Sequence, residues 1–297
     1  MASLREIKEH IASVRSTLKI TSAMRLVASA KLRKAQQAAE SVRPYTEALS
    51  EMLARVMDAP EKVGDTLPQS CDSLEVERRG VVAIVAVASN SSLCGAFNIN
   101  VIHKTLEEIS SLKAEGFEAE VFSVGRKMAE AMRKAGYPSP EDYSALVGHN
   151  SFEGSAAFAR SLIDAYNSGR YSRIIFIYNH FVSTASQKVT VEQYLPFERT
   201  ASSGIPSSDR LATEPDFILE PSREEILATL LPQVMRLRVH TVLLDSIAAE
   251  HAARTVAMQA ASDNAEDLLG ELTLEYNKGR QQKITSEILD IVGGSQQ

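Results

Sequence analysis

The sequence predicts a long antiparallel two-helix coiled coil built from the two ends of the chain, with an α/β domain inserted between them. Three observations carry this. From Ser222 to Val292 the chain holds a single proline, Pro232, and no glycine before Gly270, so one very long helix is expected there, with a kink at Pro232. At about 1.5 Å per residue it would run for roughly 100 Å, longer than a domain of this size is wide. The first 58 residues repeat apolar side chains in heptads. Between these ends the period changes from helical to strand-like.

The N-terminal helix is expected over residues 3–58. Of the sixteen heptad positions from Leu4 to Val56, thirteen are apolar: Leu4, Ile7, Ile11, Val14, Leu18, Ala28, Leu32, Ala35, Ala39, Val42, Leu49, Leu53 and Val56. A seam sustained this long is a coiled-coil signal. Thr21, Arg25 and Thr46 interrupt it. Around Thr21 and Arg25 the pairing is expected to loosen or to admit another partner. Pro44 is expected to kink the helix or end a segment.

The middle reads as strands alternating with helices. Val81–Val87 is a continuous apolar run, expected to be a buried central strand. A helix follows from Asn98 to Glu115, capped by Asn98 or Asn100, then a strand from Glu120 to Gly125 and a helix from Arg126 to Ala135. Residues 137–150 read as loop. Ser151 opens a helix to about Asn167, and strands follow at Arg173–Tyr178 and, edge-like, at Lys188–Leu195. This order implies a mostly parallel, Rossmann-like sheet covered by helices. The expected organisation is a coiled-coil helix at 1–58, a linker at 59–77, the α/β domain at 78–196, a Ser/Pro/Gly-rich linker at 197–221 and the second coiled-coil helix at 222–297. An insert between two helices makes them antiparallel. Both have alanine-rich zones, at residues 23–39 and at 248–265, which let helix backbones approach closely. Such a rod would leave apolar surface uncovered, which points to a partner.

Composition narrows the classes. No stretch of eighteen apolar residues occurs, and the opening Met1-Ala2-Ser3-Leu4-Arg5-Glu6 has no apolar signal core, which points away from secretion and membrane spanning. The only cysteines are Cys71 and Cys94. They make neither a disulfide framework nor metal-site spacing, so a reducing, cytoplasmic setting is expected. Residues 1–43 carry nine Lys/Arg against three acids, a net +6, which leaves −12 on the rest of a chain whose net charge is −6. A basic arm on an acidic body suits a nucleic acid, a membrane surface, an acidic protein partner or simply a solvated helix face.

No catalytic constellation emerges. Gly95 and Gly125 each follow a strand, but neither belongs to a G-x-G-x-x-G or G-x-x-x-x-G-K-[ST] phosphate loop, so packing turns explain them. Cys94 lies near a helix start without a specified His/acid companion and reads as a buried thiol. The six histidines are scattered; His240 and His251 share one helix without metal-ligand spacing. Asp263 and Glu266 read as solvated. No cofactor and no metal site is expected. A nucleotide-dependent α/β enzyme and a coiled-coil nucleic-acid protein stay open as alternatives; the second would bind duplexes with steep salt dependence.

Two blocks of residues carry a resemblance. The N-terminal block is Ile20-Thr21-Ser22-Ala23-Met24-Arg25-Leu26-Val27-Ala28-Ser29-Ala30-Lys31-Leu32-Arg33-Lys34-Ala35. The C-terminal block includes Glu250-His251-Ala252-Ala253-Arg254-Thr255-Val256-Ala257-Met258, Ala261-Ser262-Asp263-Asn264-Ala265, Tyr276-Asn277-Lys278-Gly279-Arg280-Gln281, Ile284-Thr285-Ser286-Glu287 and Ile291-Val292-Gly293-Gly294, with Leu93-Cys94-Gly95 at the first strand–helix junction. Over essentially the whole chain these resemble the gamma-subunit family of rotary ATP synthases. The resemblance implies a coiled coil inside a ring of three alpha and three beta subunits, and an α/β domain bound to the epsilon subunit and seated on the membrane-embedded c-subunit ring. It places catalysis on beta and none on this chain, which would sit peripherally at the cytoplasmic face of the inner membrane and couple ion flow to ATP synthesis or hydrolysis. It implies partner-coupling roles for Met24, Arg254, Arg280, Gln281, Thr285 and Glu287. Met24 would face the C-terminal helix and beta, Arg254, Gln281, Thr285 and Glu287 would form a coupling cluster, and Arg280 with Gln281 would engage a beta-subunit loop.

One asymmetric rod in a pseudo-threefold ring touches each beta subunit differently, so each orientation favours different site conformations. Two departures from the family stand out. Gly279 replaces a common alanine and is expected to soften the shaft, since glycine costs about 1 kcal/mol within a helix. Ser91-Ser92 precede Leu93 where Arg-Gly is common. The two-cysteine insertion of chloroplast relatives is absent, so no thiol switch is expected, and no transit peptide is visible, so a bacterial origin is expected.

Overall fold

Both chain ends are helical in the computed structural model, which describes residues 3–58, 80–148, 151–196 and 220–294, with side chains to 289. The elements are α1 (Leu4–Asp58), β1 (Val81–Val87), α2 (Phe97–Ala114), β2 (Glu118–Val124), α3 (Arg126–Lys134), α4 (Ser144–Gly148), α5 (Phe152–Asn167), β3 (Tyr171–Phe181), β4 (Gln187–Leu195) and α6 (Arg223–Gly294). They divide into two compact units, one of residues 1–30 with 254–297 and one of residues 31–253. Both expected linkers, 59–77 and nearly all of 197–221, lie outside the described residues.

All sixteen heptad positions of α1 are buried or half-buried. α1 continues through Pro44, so the expected segment end there is corrected. In the first unit Ile7 and Val14 pack with Ala265 and Leu272 of α6, flanked by Ile11, Leu18, Leu269 and Tyr276. On α6 the covered positions Met258, Ser262, Ala265, Leu269, Leu272, Tyr276 and Gly279 alternate four and three apart, the spacing of a coiled-coil seam. Two contacts set the register. Thr21 Oγ1 lies 2.8 Å from Ser262 Oγ, and a Cβ on Gly279 would come 3.0 Å from Leu4 Cδ2. Seventeen residues back along α1 thus correspond to seventeen forward along α6, an antiparallel pair without slip. Gly279 is therefore a close-approach residue against which Leu4 seats.

The second unit is a three-layer sandwich. Its sheet has the order β2-β1-β3-β4, with β1 parallel to β2 and β3 and β4 antiparallel at the edge. Strict alternation along β1 serves both faces. Val82, Ile84 and Ala86 meet α2 and α3 through Val101, Ile109, Leu112, Met128 and Met132. Ala83, Val85 and Val87 meet α5, the end of α1 and the first half of α6, among them Phe158, Leu162, Leu53, Val56, Leu227, Met235 and Leu243. Arg223, itself buried, opens α6 and closes α1, donating from Nε to Val56 O at 3.0 Å and from Nη2 to Met57 O at 2.7 Å. This satisfies carbonyls that a helix end leaves without intrahelical partners.

Local details depart from expectation. Neither Asn98 nor Asn100 caps α2; its N-cap is Ala96 without a side-chain bond. Asn98 is drawn inward instead, its Oδ1 accepting from Ser89 N at 3.0 Å. Residues 137–150 are not all loop, since Ser144–Gly148 make the short helix α4. β3 is longer than its apolar stretch because pairing with β4 continues to Phe181. The Ser151 cap stands as expected, its Oγ accepting from Gly154 N at 3.1 Å.

Gly125 joins β2 to α3 at φ +100°, and a Cβ there would come 2.1 Å from Ala88 O. The obstacle is backbone held in the sheet layer, which cannot step aside. Gly125→Ala is expected to destabilise the chain by on the order of 3 kcal/mol or more, through strain and overpacking together. Chemical denaturation of the two proteins checks this; a change below about 1 kcal/mol would mean the turn relaxes freely.

Candidate functional site

The implied coupling residues fall into two sets. Met24 and Arg254 are half-buried on the paired part of the coiled coil, and Arg254 is engaged within the chain. Arg280, Gln281, Thr285 and Glu287 are exposed and lie beyond the contact of Gly279 with Leu4. From residue 280 to 289 every side chain of α6 is exposed. The four form one group within two helical turns, whereas Arg254 lies 27 residues from Gln281 along the same helix, about 40 Å away. The structure thus separates Arg254 from the cluster in which it was expected.

Among the described residues, this exposed end shows local bonds. Thr285 Oγ1 donates to Gln281 O at 2.9 Å, and Lys283 Nζ sits 3.8 Å from Glu287 Oε1. Between these polar groups Ile284, Ile288 and Leu289 are 47, 54 and 64% exposed. On α1, Ile20, Leu26 and Val27, off the seam, are 57, 64 and 56% exposed. Apolar side chains clustered this way mark a surface made to be covered.

At the seam interruption, the expectation of loose pairing is corrected at Thr21. Thr21 is 9% exposed, and its hydroxyl meets that of Ser262, which also donates to Met258 O at 2.9 Å. Two short polar side chains satisfy each other and fill the space that apolar residues fill elsewhere. Arg25 differs. It is half-buried, and its Nε is buried without a hydrogen-bond partner among the described residues. A guanidinium with a buried stem and an unsatisfied donor lies one residue from Met24, in the zone where an outside partner was expected. The other basic residues of the arm, Arg5, Lys8, Arg15, Lys19, Lys31, Arg33, Lys34 and Arg43, are exposed.

The α/β domain has a place where nucleotides commonly bind. In doubly wound sheets this is the crevice at the carboxyl ends of adjacent strands whose connections run opposite ways, here β1 and β3. The chain fills it with itself. Cys94 and Phe97, following β1, pack with Phe181 at the end of β3 and with Ala249 and Ala253 of α6. Asn179 Nδ2 ties β3 to Phe97 O at 3.1 Å. Cys94 is 1% exposed, and its sulfur accepts from Asn98 Nδ2 at 3.2 Å, which fits its reading as a buried thiol. Leu93 sits in the left-handed region at φ +67°, unusual for a side chain with a Cβ. This turn leaves Leu93 exposed and sends Cys94 inward. Nothing in the residue types signals it.

Thr21→Val is expected to cost about 1 kcal/mol by removing the hydrogen bond between the two helices, and pairing it with Ser262→Ala is expected to recover most of that loss. A double-mutant cycle by thermal unfolding measures the coupling; purely additive effects would show that the two hydroxyls do not support each other.

The sequence matches the family model described as ATP synthase over residues 3–296. It is 46% identical to the ATP synthase gamma chain of Phocaeicola vulgatus over 296 residues, covering 99% of each chain. It is 41% identical to the ATP synthase gamma chain of Flavobacterium johnsoniae over 296 residues, covering 100% of this chain and 99% of the relative. Among solved structures it resembles a chain of the Euglena gracilis mitochondrial ATP synthase in its OSCP/F1/c-ring assembly, with a TM-score of 0.62, 21% identity, and coverage of 99% of this chain and 93% of that one. That likeness is one of fold.

Proposed function

The chain belongs to the gamma-chain family of ATP synthases, the central-stalk rotor subunits, and from that premise we propose how it works. The paired helices stand inside a ring of three alpha and three beta subunits and turn there. The beta subunits carry the catalysis, and this chain imposes different conformations on their three sites. The α/β domain works outside the ring, against the epsilon subunit and the c-subunit ring, so that ion flow and rotation are linked. No helix among the described residues is long and apolar enough to cross a membrane; the chain associates with the cytoplasmic face of the inner membrane through its partners.

The observation that carries this reading is the end of α6. Among the described residues, α6 from Arg280 to Leu289 is exposed on all sides and bears Ile284, Ile288 and Leu289. An isolated chain has no use for this surface, and a surrounding ring covers it. Arg280, Gln281, Thr285 and Glu287 give that helix directional contacts, and Met24 and Arg25 supply a second zone on the paired part. Contacts of this kind couple sites when they differ in free energy between orientations. The exposed basic side chains of α1 suit acidic loops of a protein ring. The nucleotide-enzyme alternative loses its support because Ala249, Ala253, Cys94 and Phe97 occupy the crevice it needs.

Reconstitution with alpha and beta subunits tests the reading. A stable complex is expected, with multisite ATP turnover that depends on the chain; no complex, or turnover indifferent to it, would overturn the proposal. In the same assay Arg280→Ala combined with Gln281→Ala is expected to lower turnover about tenfold, equivalent to about 1.4 kcal/mol of lost differential contact. Both side chains are exposed, so circular dichroism of the variant is expected to match the parent. Unchanged turnover would remove these two residues from the coupling.

A further inference from the structure

In the second unit, α6 lies in a socket formed by the sheet and α5. Much of that contact is apolar. Apolar packing already resists a large turn of the helix, because turning would expose buried side chains and overpack others, but it specifies no single bond angle. Directional bonds resist it well, because a hydrogen bond weakens steeply when its angle is lost. Three sets of such bonds hold α6 here.

Arg238 Nε donates to Glu192 Oε1 of β4 at 2.6 Å, and its Nη2 reaches the same oxygen. Tyr178 OH of β3 donates to Glu192 Oε2 at 2.9 Å, fixing the carboxylate from its other side. Asp245 takes Phe181 N on Oδ1 at 3.0 Å and His180 Nδ1 on Oδ2 at 2.6 Å. His240 Nδ1 lies 3.1 Å from Ser155 Oγ of α5, with the Phe152 ring edge-on to it. Arg238 and Asp245 are seven residues apart, within about 20° of one line along the helix, and both meet the β3–β4 hairpin. His240 stands about 200° around the axis from Arg238 and meets α5. The helix is gripped on opposite sides.

We propose that Glu192, Arg238 and Asp245, opposed by His240, form a clamp that fixes the rotational setting of α6 in the α/β domain, so that torque on one is delivered to the other. These are positioning residues, and the proposal rests on the rotor reading above. Apolar packing places the helix in its socket; the clamp sets its angle. The side chains of Arg238 and Glu192 are only 20 and 21% exposed, so turning the helix would strand partly buried charges without partners.

The test uses the complex with alpha and beta subunits, the ring fixed to a surface and a bead on the α/β domain. Attachment is through Ser110→Cys on the exposed face of α2 in a Cys71→Ser background, Cys94 being buried. The angular spread of the bead is recorded without ATP, and ATP hydrolysis is measured alongside. Mean-square angular fluctuation is inverse to stiffness, so the spread widens in the Glu192→Gln, Asp245→Asn double variant, by up to about 1.4-fold for a clamp carrying half the restraint. Hydrolysis by the same complexes is expected to stay within twofold of the parent. The exchange of Glu192→Arg with Arg238→Glu, beside an intact Asp245, restores an ion pair and is expected to return the spread toward the parent value. A parental spread in the double variant overturns the clamp, as does an exchange variant as wide as Glu192→Gln alone. A parent complex whose bead never rotates when ATP is added overturns the rotor reading itself, so the two failures are distinct.

Discussion

Between Leu227 and Ala253, α6 is wrapped so completely that most of its side chains are buried. Leu227, Leu231, Met235, Val239 and Leu243 belong to the core of the α/β domain, and Ala249 and Ala253 close its strand-end crevice. The rest of the structure depends on this one interaction. The same helix continues to residue 294 and supplies half of the coiled-coil seam. One continuous element is therefore core in one unit and shaft in the other. The choice of side chain follows from each duty: large aliphatic residues where the helix meets the sheet, and alanine where it packs against Cys94 and Phe97.

The fold follows with few further requirements. A parallel sheet buried on both faces needs helices on each; α2 and α3 cover one, while α5, the end of α1 and α6 cover the other. Arg223 uses one side chain to end α1 and begin α6, so the two long helices are joined where both enter the domain. In the coiled coil, the Thr21–Ser262 pair and the Leu4–Gly279 contact hold the register at two points seventeen residues apart. Register fixed in this way lets an asymmetric rod present a defined face at each orientation.

Much of this was legible in the sequence, for physical reasons. Heptads average over many residues, so Thr21, Arg25 and Thr46 did not hide the seam, and all three are covered as their positions require. Val81–Val87 was legible because a strand buried on both sides has no polar positions. The edge strand was legible from its alternation. What stayed hidden depends on residues distant in sequence. Glu192 and Arg238 are 46 apart, and His180 and Asp245 are 65 apart; no local pattern announces either pair. Thr21 read as a flaw because its partner, Ser262, lies 241 residues away. The packing of Gly279 against Leu4 stayed hidden for the same reason. The proposed coupling residues were reached through resemblance alone, and the structure adds that four of them occupy an exposed stretch of α6 while Met24 and Arg254 lie on the paired part.

The most direct measurement of the central claim is to watch the α/β domain while ATP is hydrolysed. With the ring of alpha and beta subunits immobilised and a probe on α2, the account predicts rotation in one direction with pauses at three orientations, matching three beta subunits met in turn by one asymmetric shaft. A complex that binds this chain and hydrolyses ATP while the probe only fluctuates about a fixed angle would contradict it.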